Sequence, residues 1–231
     1  MSIFAISDLH LSFETDKSME IFPGWQNYTR RIKENFNKIV TEEDTVVIAG
    51  DISWATKLEE AKADLSFINS LPGKKVFIKG NHDFWWTTAK KINDFFEKNK
   101  FDTLKIVYNN FFAVEKYAVC GTRGWFYDKS GPEDEKVLLR ECGRLETSLS
   151  QAENSGFEPI VFLHYPPVYG NFKNEMILKI LKSHKIDTVY YGHIHGSGIK
   201  STVSEYDGIK MKLLSADCNG FSPILVKKLK I

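Results

Sequence analysis

The chain has 231 residues, 42% of them hydrophobic, with 31 basic side chains against 30 acidic. That length suits one α/β domain with a sizeable core, since a domain typically takes roughly 100–200 residues, and no Pro/Ser/Gly-rich stretch or repeat offers a linker to a second. Near-cancelling charge argues against a chain built to coat nucleic acid or an anionic membrane, and no apolar run approaches the roughly 20 residues that span a bilayer.

From Met1 the chain enters an apolar strand, Ser2 to Ile6, without the basic head and cleavage site of a signal peptide. Cys120, Cys142 and Cys218 are not spaced as a zinc knuckle and read as reduced thiols, so a cytoplasmic setting is expected. Tyr28, Ile32, Phe36 and Ile39 form an apolar stripe at helical spacing, followed by a buried strand at Thr45 to Ala49. Leu58, Ala61, Leu65 and Ile68 predict a second amphipathic helix, Lys75 to Lys79 a third strand, and Ile92, Phe95 and Phe96 another helix.

The middle is different. Leu104 to Tyr108, Phe111 to Glu115 and Tyr117 to Cys120 are strand-like runs with brief separators, which predicts hairpins rather than crossovers. After the turn-rich run from Asp128 to Glu133, Leu138, Cys142, Leu145 and Leu149 predict a long helix following Pro132. Alternation then resumes with a strand at Ile160 to Leu163, a helix carrying Met176, Ile177, Ile180 and Leu181, and a strand at Asp187 to Tyr191. Ser201 to Glu205, Met211 to Leu214 and Ile224 to Lys228 close the chain as further strands around the turn-like Asp207-Gly208, with Lys227, Lys228 and Lys230 on a wet strand edge. The expected fold is one domain over residues 1–231, an α/β protein built as a four-layer α/β-β/α sandwich, two mixed sheets face to face flanked by helices.

Five polar signatures each follow a predicted strand: Asp8-Leu9-His10, Gly50-Asp51, Gly80-Asn81-His82-Asp83, His164, and Gly192-His193-Ile194-His195. Open α/β sheets bind ligands at the carboxyl ends of their strands, where all five would converge. Carboxylate, imidazole and amide oxygen are ligands that hold zinc, manganese or iron without thiolates. In Asp8-x-His10 and His193-x-His195, alternate residues of an extended turn would face one side, while glycines 50, 80 and 192 let the backbone bend sharply. Singly each fragment is also an ordinary turn or surface pair. Together they account for five of the six histidines, leaving only His184, which reads as a solvated helix end.

This ordered set resembles the calcineurin-like metallophosphoesterase superfamily, whose pattern is D-x-H, GD, GNH(D/E), H and GHxH, here complete between residues 8 and 195. The resemblance implies one metal on Asp8, His10, Asp51 and His195, a second on Asp51, Asn81, His164 and His193, and Asp51 as the bridge. The ions would be manganese, iron or zinc. Two cations about 3.5–4 Å apart would clamp the phosphoryl oxygens and activate a hydroxide for in-line attack, with His82 as general acid for the leaving alkoxide. Asp83 would hold His82 and favour its charged form, or cap a following helix.

Beyond the motif, Arg123 in Gly121-Thr122-Arg123-Gly124-Trp125 offers a planar fork to a phosphate and Trp125 a stacking surface; the alternative is an ion pair beside a packed aromatic. Trp54, Trp85 and Trp86 are read as cleft wall or core rim, Tyr165 with Pro166-Pro167 as stiffening the His164 loop, and residues 11 to 27, with Phe13, Phe22 and Trp25, as a lid or an ordinary connection. The function expected is a metal-dependent phosphodiesterase acting on a small phosphoester. The alternatives are a phosphomonoesterase or protein phosphatase, a nuclease, and a non-catalytic metal-binding scaffold. A missing lysine/arginine stripe opposes the nuclease, and an intact ligand set opposes the scaffold.

Overall fold

The computed structural model describes residues 1–125 and 132–229, so most of the Asp128 to Glu133 run, and Lys230, lie outside the described residues. The first sheet begins with three parallel strands, β1 (Ser2–Ile6), β2 (Thr45–Ala49) and β3 (Lys74–Ile78). They are linked by α1 (Tyr28–Ile39) and α2 (Lys62–Asn69), and α3 (Ala89–Lys98) leads on to β4 (Leu104–Ile106). In the second sheet β5 (Phe112–Val114) and β6 (Tyr117–Thr122) form a hairpin, α4 (Pro132–Asn154) returns to β7 (Glu158–Leu163), and β8 (Val168–Tyr169) with β9 (Phe172–Lys173) makes a small ribbon. There follow α5 (Glu175–Ser183), β10 (Thr188–Tyr191), β11 (Glu205–Tyr206), β12 (Ile209–Leu213) and β13 (Ile224–Lys228). The strand orders are β13-β1-β2-β3-β4 and β11-β12-β10-β7-β6-β5.

Both sheets are mixed, and three apolar layers hold four layers of structure together. Because side chains alternate across a strand, Val47 and Val76 face the inter-sheet core with Ile3, Val119 and Phe162. Their neighbours Val46, Ile48 and Phe77 meet Ile32, Phe36, Leu65 and Phe96 of the helices. On the far side Leu138, Leu145 and Leu149 of α4 and Leu178 and Leu181 of α5 cover Val161, Leu163 and Val189. The α/β-β/α sandwich expected from the alternation of patterns is the fold observed.

Several local expectations are corrected. The Leu104 strand is not part of a hairpin: β4 pairs parallel with β3, Lys75 opposite Leu104, so α3 makes a crossover and the chain changes sheets only after Val107. The Ser201 strand is replaced by a 3-10 helix at Gly196–Ser201; Thr202 makes a single antiparallel bridge to Tyr169, and Glu205–Tyr206 pairs with β12 in a hairpin turned by Asp207 and Gly208 at φ 50 and 81. Such a two-residue turn needs positive φ at both positions. The last strand leaves that sheet and lies antiparallel to β1, where Lys227 and Lys228 are exposed on the edge strand. His184 caps α5 but is not solvated. Its ring is clamped between Glu153, 2.8 Å from Nδ1, and Glu146, 3.1 Å from Nε2, tying α5 to α4.

Candidate metal centre

The carboxyl ends of β1, β2 and β3 meet those of β7 and β10, and all five polar signatures stand there. Backbone bonds weave the loops together: Asp8 N–H donates to Gly50 O at 2.9 Å, His10 N–H to Asp51 O at 2.9 Å, and Gly192 N–H to His164 O at 3.1 Å. The loops are not extended turns. Asp8, His10, Asp51 and His193 have φ of 60, 45, 51 and 72, a conformation that costs an L-residue about 1–3 kcal/mol and persists only where surroundings impose it. β1, β2 and β10 therefore end in kinks at these residues, whereas Asn81 after β3 and His164 after β7 take no such conformation.

The glycines serve two different needs. Gly50 meets both, turning at φ +93 and standing where a Cβ would lie 2.5 Å from His164 Nδ1. Gly80 and Gly192 are needed for close approach: a Cβ on Gly80 would lie 2.1 Å from both the backbone N and the Oδ1 of Asp51, and one on Gly192 would lie 2.5 Å from Asp8 Oδ2.

Two donor sets result. Ligand atoms of Asp8, His10 and His195 lie within 4.8 Å of one another, as do those of Asp51, His164 and His193. Ligand distances of about 2.0–2.2 Å put opposite donors on one ion about 4.4 Å apart, so either set can surround a cation. Asn81 joins the second, its Oδ1 lying 2.6 Å from His164 Nε2 and 2.9 Å from His193 Nδ1. Asp51 stands between the sets, with Oδ2 3.6 Å from His10 Nε2 and Oδ1 3.4 Å from His164 Nε2.

The hydrogen bonds on the far side of two rings test the fit. His164 Nδ1 lies 3.0 Å from Ala49 O, which can only accept, so in the neutral ring Nε2 carries a lone pair toward Asn81 and Asp51. His195 Nδ1 lies 2.9 Å from Asp217 Oδ1, which points Nε2 toward Asp8 Oδ1 at 3.1 Å, unaligned for a hydrogen bond. Lone pairs of neutral imidazoles converging on carboxylate and amide oxygens repel unless a cation separates them, and these residues fit divalent metal.

Without metal, protons take part of that role. Burial opposes charge on His164 and His195, but the surrounding carboxylates outweigh it and raise them to about 9 and about 10. Burial also opposes charge on Asp8 and Asp51, yet the same histidines hold Asp8 well below the usual carboxylate range and bring Asp51 to about 2. For His10 and His193 burial prevails, and both fall to about 4.

His82 stands beside this cluster. Its backbone N–H donates to Asp51 Oδ1 at 2.8 Å, and its ring lies 4.4 Å from Trp54 and 5.6 Å from His10, centroid to centroid. The expected grip of Asp83 on that ring is corrected. Asp83 Oδ1 accepts from Ile52 N at 2.8 Å and Trp85 Nε1 at 3.1 Å, Oδ2 accepts from Gly80 N at 2.7 Å, and His82 Nδ1 is buried with no partner. Asp83 is thus the fastener between the Asp51 and Asn81 loops, and it caps no helix, since α3 begins at Ala89 with Thr88 as its cap.

The outer residues divide. Trp54 walls the centre, stacked on His10 at 4.8 Å, while Trp85 and Trp86 are core. Arg123 packs over Trp125 at 4.6 Å with Nη2 3.7 Å from Glu141, and its carbonyl accepts from the backbone N–H groups of His164 and Tyr165. Trp25 anchors residues 11 to 27 beneath the site, 5.8 Å from His195, whereas Phe13 and Phe22 are exposed. Three contributors escaped the sequence reading: Ser7, Ser215 and Asp217. Ser7 and Ser215 hydroxyls donate to Asp8 Oδ2 and Asp217 orients His195. The signal was present, because Ser215 and Asp217 follow the predicted Met211 strand just as the five motifs follow theirs.

The calcineurin-like phosphoesterase family model matches residues 1–197. A probable cyclic nucleotide phosphodiesterase of Xenorhabdus bovienii (strain SS-2004) is 24% identical over 214 residues, which cover 84% of this chain and 78% of that protein. Among solved structures, TT1561 of Thermus thermophilus aligns with a TM-score of 0.58 at 13% identity over 97% of each chain. The phosphopantetheinyl hydrolase PptH of Mycobacterium tuberculosis aligns at 0.50 and 13% identity over 100% of this chain and 96% of that one. These two likenesses establish the fold alone. Among the described residues no helix is long and apolar enough to cross a membrane. With the family's signatures complete and gathered where strands of both sheets end, and its model matched over most of the chain, the protein belongs to the calcineurin-like phosphoesterase family and is a metal-binding phosphoric ester hydrolase.

Proposed function

We propose that the protein is a phosphodiesterase for a small phosphoester, working with two cations. Asp8, His10, Asp51 and His195 would hold one, and Asp51, Asn81, His164 and His193 the other. The observation that carries this reading is the position of Asp51, whose two carboxylate oxygens face different donor sets. When bound, the two cations, of manganese, iron or zinc, supply Lewis-acid polarisation of phosphoryl oxygens and lower the pKa of water from 15.7 toward about 7.

The chain's own residues do the rest. Asp217, Ala49 O and the serines on Asp8 fix which atoms of His195, His164 and Asp8 face inward. Trp54 excludes water from one side of His10 and His82. In the proposed reaction His82 donates a proton to the leaving alkoxide as general acid. Burial lowers its pKa while the Asp51 charge opposes that fall, so protonation of the ring relies on neighbouring negative charge. Arg123 is assigned to the phosphoester substrate, and Asp83 positions the His82 loop through its backbone. The preference for a diester is supported by the curated relative, a probable cyclic nucleotide phosphodiesterase.

The test is to strip metal with a chelator, restore manganese, and compare bis-p-nitrophenyl phosphate with p-nitrophenyl phosphate, with Asp51→Asn and His82→Ala as controls. Diester turnover that needs manganese and is lost in Asp51→Asn supports the reading. Faster monoester turnover replaces it with a phosphomonoesterase. Absence of both activities in folded, metal-loaded protein rejects it.

A further inference from the structure

A cavity of about 380 Å³ walled by the residues that follow β3 and β6 and by α4 has an unusual charge balance: Lys79, Arg123, Arg140 and Arg144 line it against the single carboxylate of Glu141. The whole chain is nearly neutral, so this concentration is local. Glu141 is almost wholly buried and already committed. Its Oε1 takes Arg144 Nη1 at 2.8 Å and faces Arg123 Nη2 at 3.7 Å, while Oε2 accepts from the Thr122 hydroxyl. Arg144 Nη2 also donates to Tyr108 OH at 3.0 Å. One carboxylate cannot saturate two guanidiniums with five N–H donors each, let alone the neighbouring lysine and third arginine.

Two further donors in the lining are unspent. Arg123 Nε is buried with no partner, and so is the indole N–H of Trp86, a residue only 6% exposed. Thr88, the N-cap of α3, lies in the same wall, so a helix N-terminus adds partial positive charge. Excess cation, fixed guanidinium forks and buried unpaired N–H groups are what a multiply charged oxyanion requires. Guanidiniums held by a buried carboxylate have also lost their conformational freedom before any ligand arrives.

The cavity shares its walls with the catalytic loops. Lys79 immediately precedes Gly80-Asn81-His82, and the Arg123 carbonyl holds the backbone N–H of His164. We infer that this cavity is a second phosphate-binding subsite, separate from the metal centre and on the same edge of the sandwich. Its occupant is a phosphate group, either a second phosphate on the substrate or free phosphate. Only the first source rests on the phosphodiesterase reading.

The test uses manganese-loaded protein titrated with inorganic phosphate by calorimetry, as wild type, Arg140→Ala and Arg144→Met. Arg140 is exposed, so its removal leaves the fold intact even if loss of the Arg144 pair does not. The expected result is two phosphate sites in the wild type, one of them weakened at least about tenfold by either substitution, as loss of a charge-assisted hydrogen bond requires. A single site, or two sites indifferent to Arg140→Ala and Arg144→Met, overturns the inference. A second arm compares thymidine 3′,5′-bisphosphate with thymidine 5′-monophosphate. Tighter binding of the bisphosphate in wild type but not in Arg140→Ala identifies a doubly phosphorylated substrate, and equal binding beside a retained second phosphate site identifies free phosphate. Turnover of bis-p-nitrophenyl phosphate by the wild type is scored separately, so failure of the phosphodiesterase reading leaves the phosphate isotherm to decide.

Discussion

Asp217 Oδ1 lies 2.9 Å from His195 Nδ1, and this contact sets which nitrogen of His195 faces Asp8. The second Asp217 oxygen accepts from Gly196 N–H at 3.0 Å, so one carboxylate fixes both the ring and the loop that carries it. Partners of this kind are typically worth about 10–100-fold in metal affinity. Asp217→Ala is therefore expected to weaken metal at the Asp8 set by that factor while the fold persists, as read by competition with a fluorescent chelator. Unchanged affinity would remove Asp217 from the site.

Close approach at Gly80 makes an opposed pair of predictions. Alanine there puts a methyl 2.1 Å from Asp51 Oδ1, so Gly80→Ala should displace Asp51, lower metal stoichiometry and lower Tm. Gly143, in α4, has open space where a Cβ would go. Gly143→Ala should raise stability by about 0.5–1 kcal/mol, the ordinary gain on replacing a helix-interior glycine. Thermal melts of the two variants decide, and equal shifts would refute the packing argument.

His82 and Asp83 are adjacent in sequence but should fail in different ways. His82→Ala is expected to keep its metal content and lose about 10²–10⁴ in kcat, the usual worth of a general acid. Asp83→Asn replaces an acceptor shared by Ile52, Gly80 and Trp85 with a group carrying two N–H donors. It should lower Tm and loosen metal binding. A full kcat in His82→Ala would end its assignment as the acid.

His184 makes a pH-dependent contribution to stability. Burial opposes its charge, but hydrogen bonds to Glu153 and Glu146 prevail and raise its pKa above the ordinary value near 6.5. A raised folded-state pKa stabilises fully below the unfolded value and loses its effect as pH climbs through the folded one. The Tm gap between wild type and His184→Gln should therefore be wider at about pH 6 than at about pH 9. A gap that widens with pH would contradict the clamp.

The layer order and the place of the chemistry were legible in the chain, because both follow from periodicity. Tyr28, Ile32 and Phe36 repeat at helical spacing, and burying that stripe requires a sheet beneath it; the polar residues after each strand run then fall at one edge of whatever sheet forms. Strand pairing was less legible. Leu104 to Tyr108 and Phe111 to Glu115 look alike as apolar runs, yet the first joins β3 and the second begins a hairpin, since partner choice depends on where α3 delivers the chain.

At the site, sequence determined which side chains would meet, through Asp8, His10, Asp51, Asn81, His164, His193 and His195. It could not supply the atoms that face one another. Asp83 turns away from the neighbouring His82 because three N–H groups of Ile52, Gly80 and Trp85, up to 31 residues distant, compete for its oxygens. Asp217 reaches His195 from 22 residues away, and Glu141 gathers Arg144 of its own helix α4 with Thr122 at the end of β6 and Arg123 just after it. Residue type and local spacing are written along the chain, whereas hydrogen-bond partners across long separations come into existence only when strands from both sheets end at the same place.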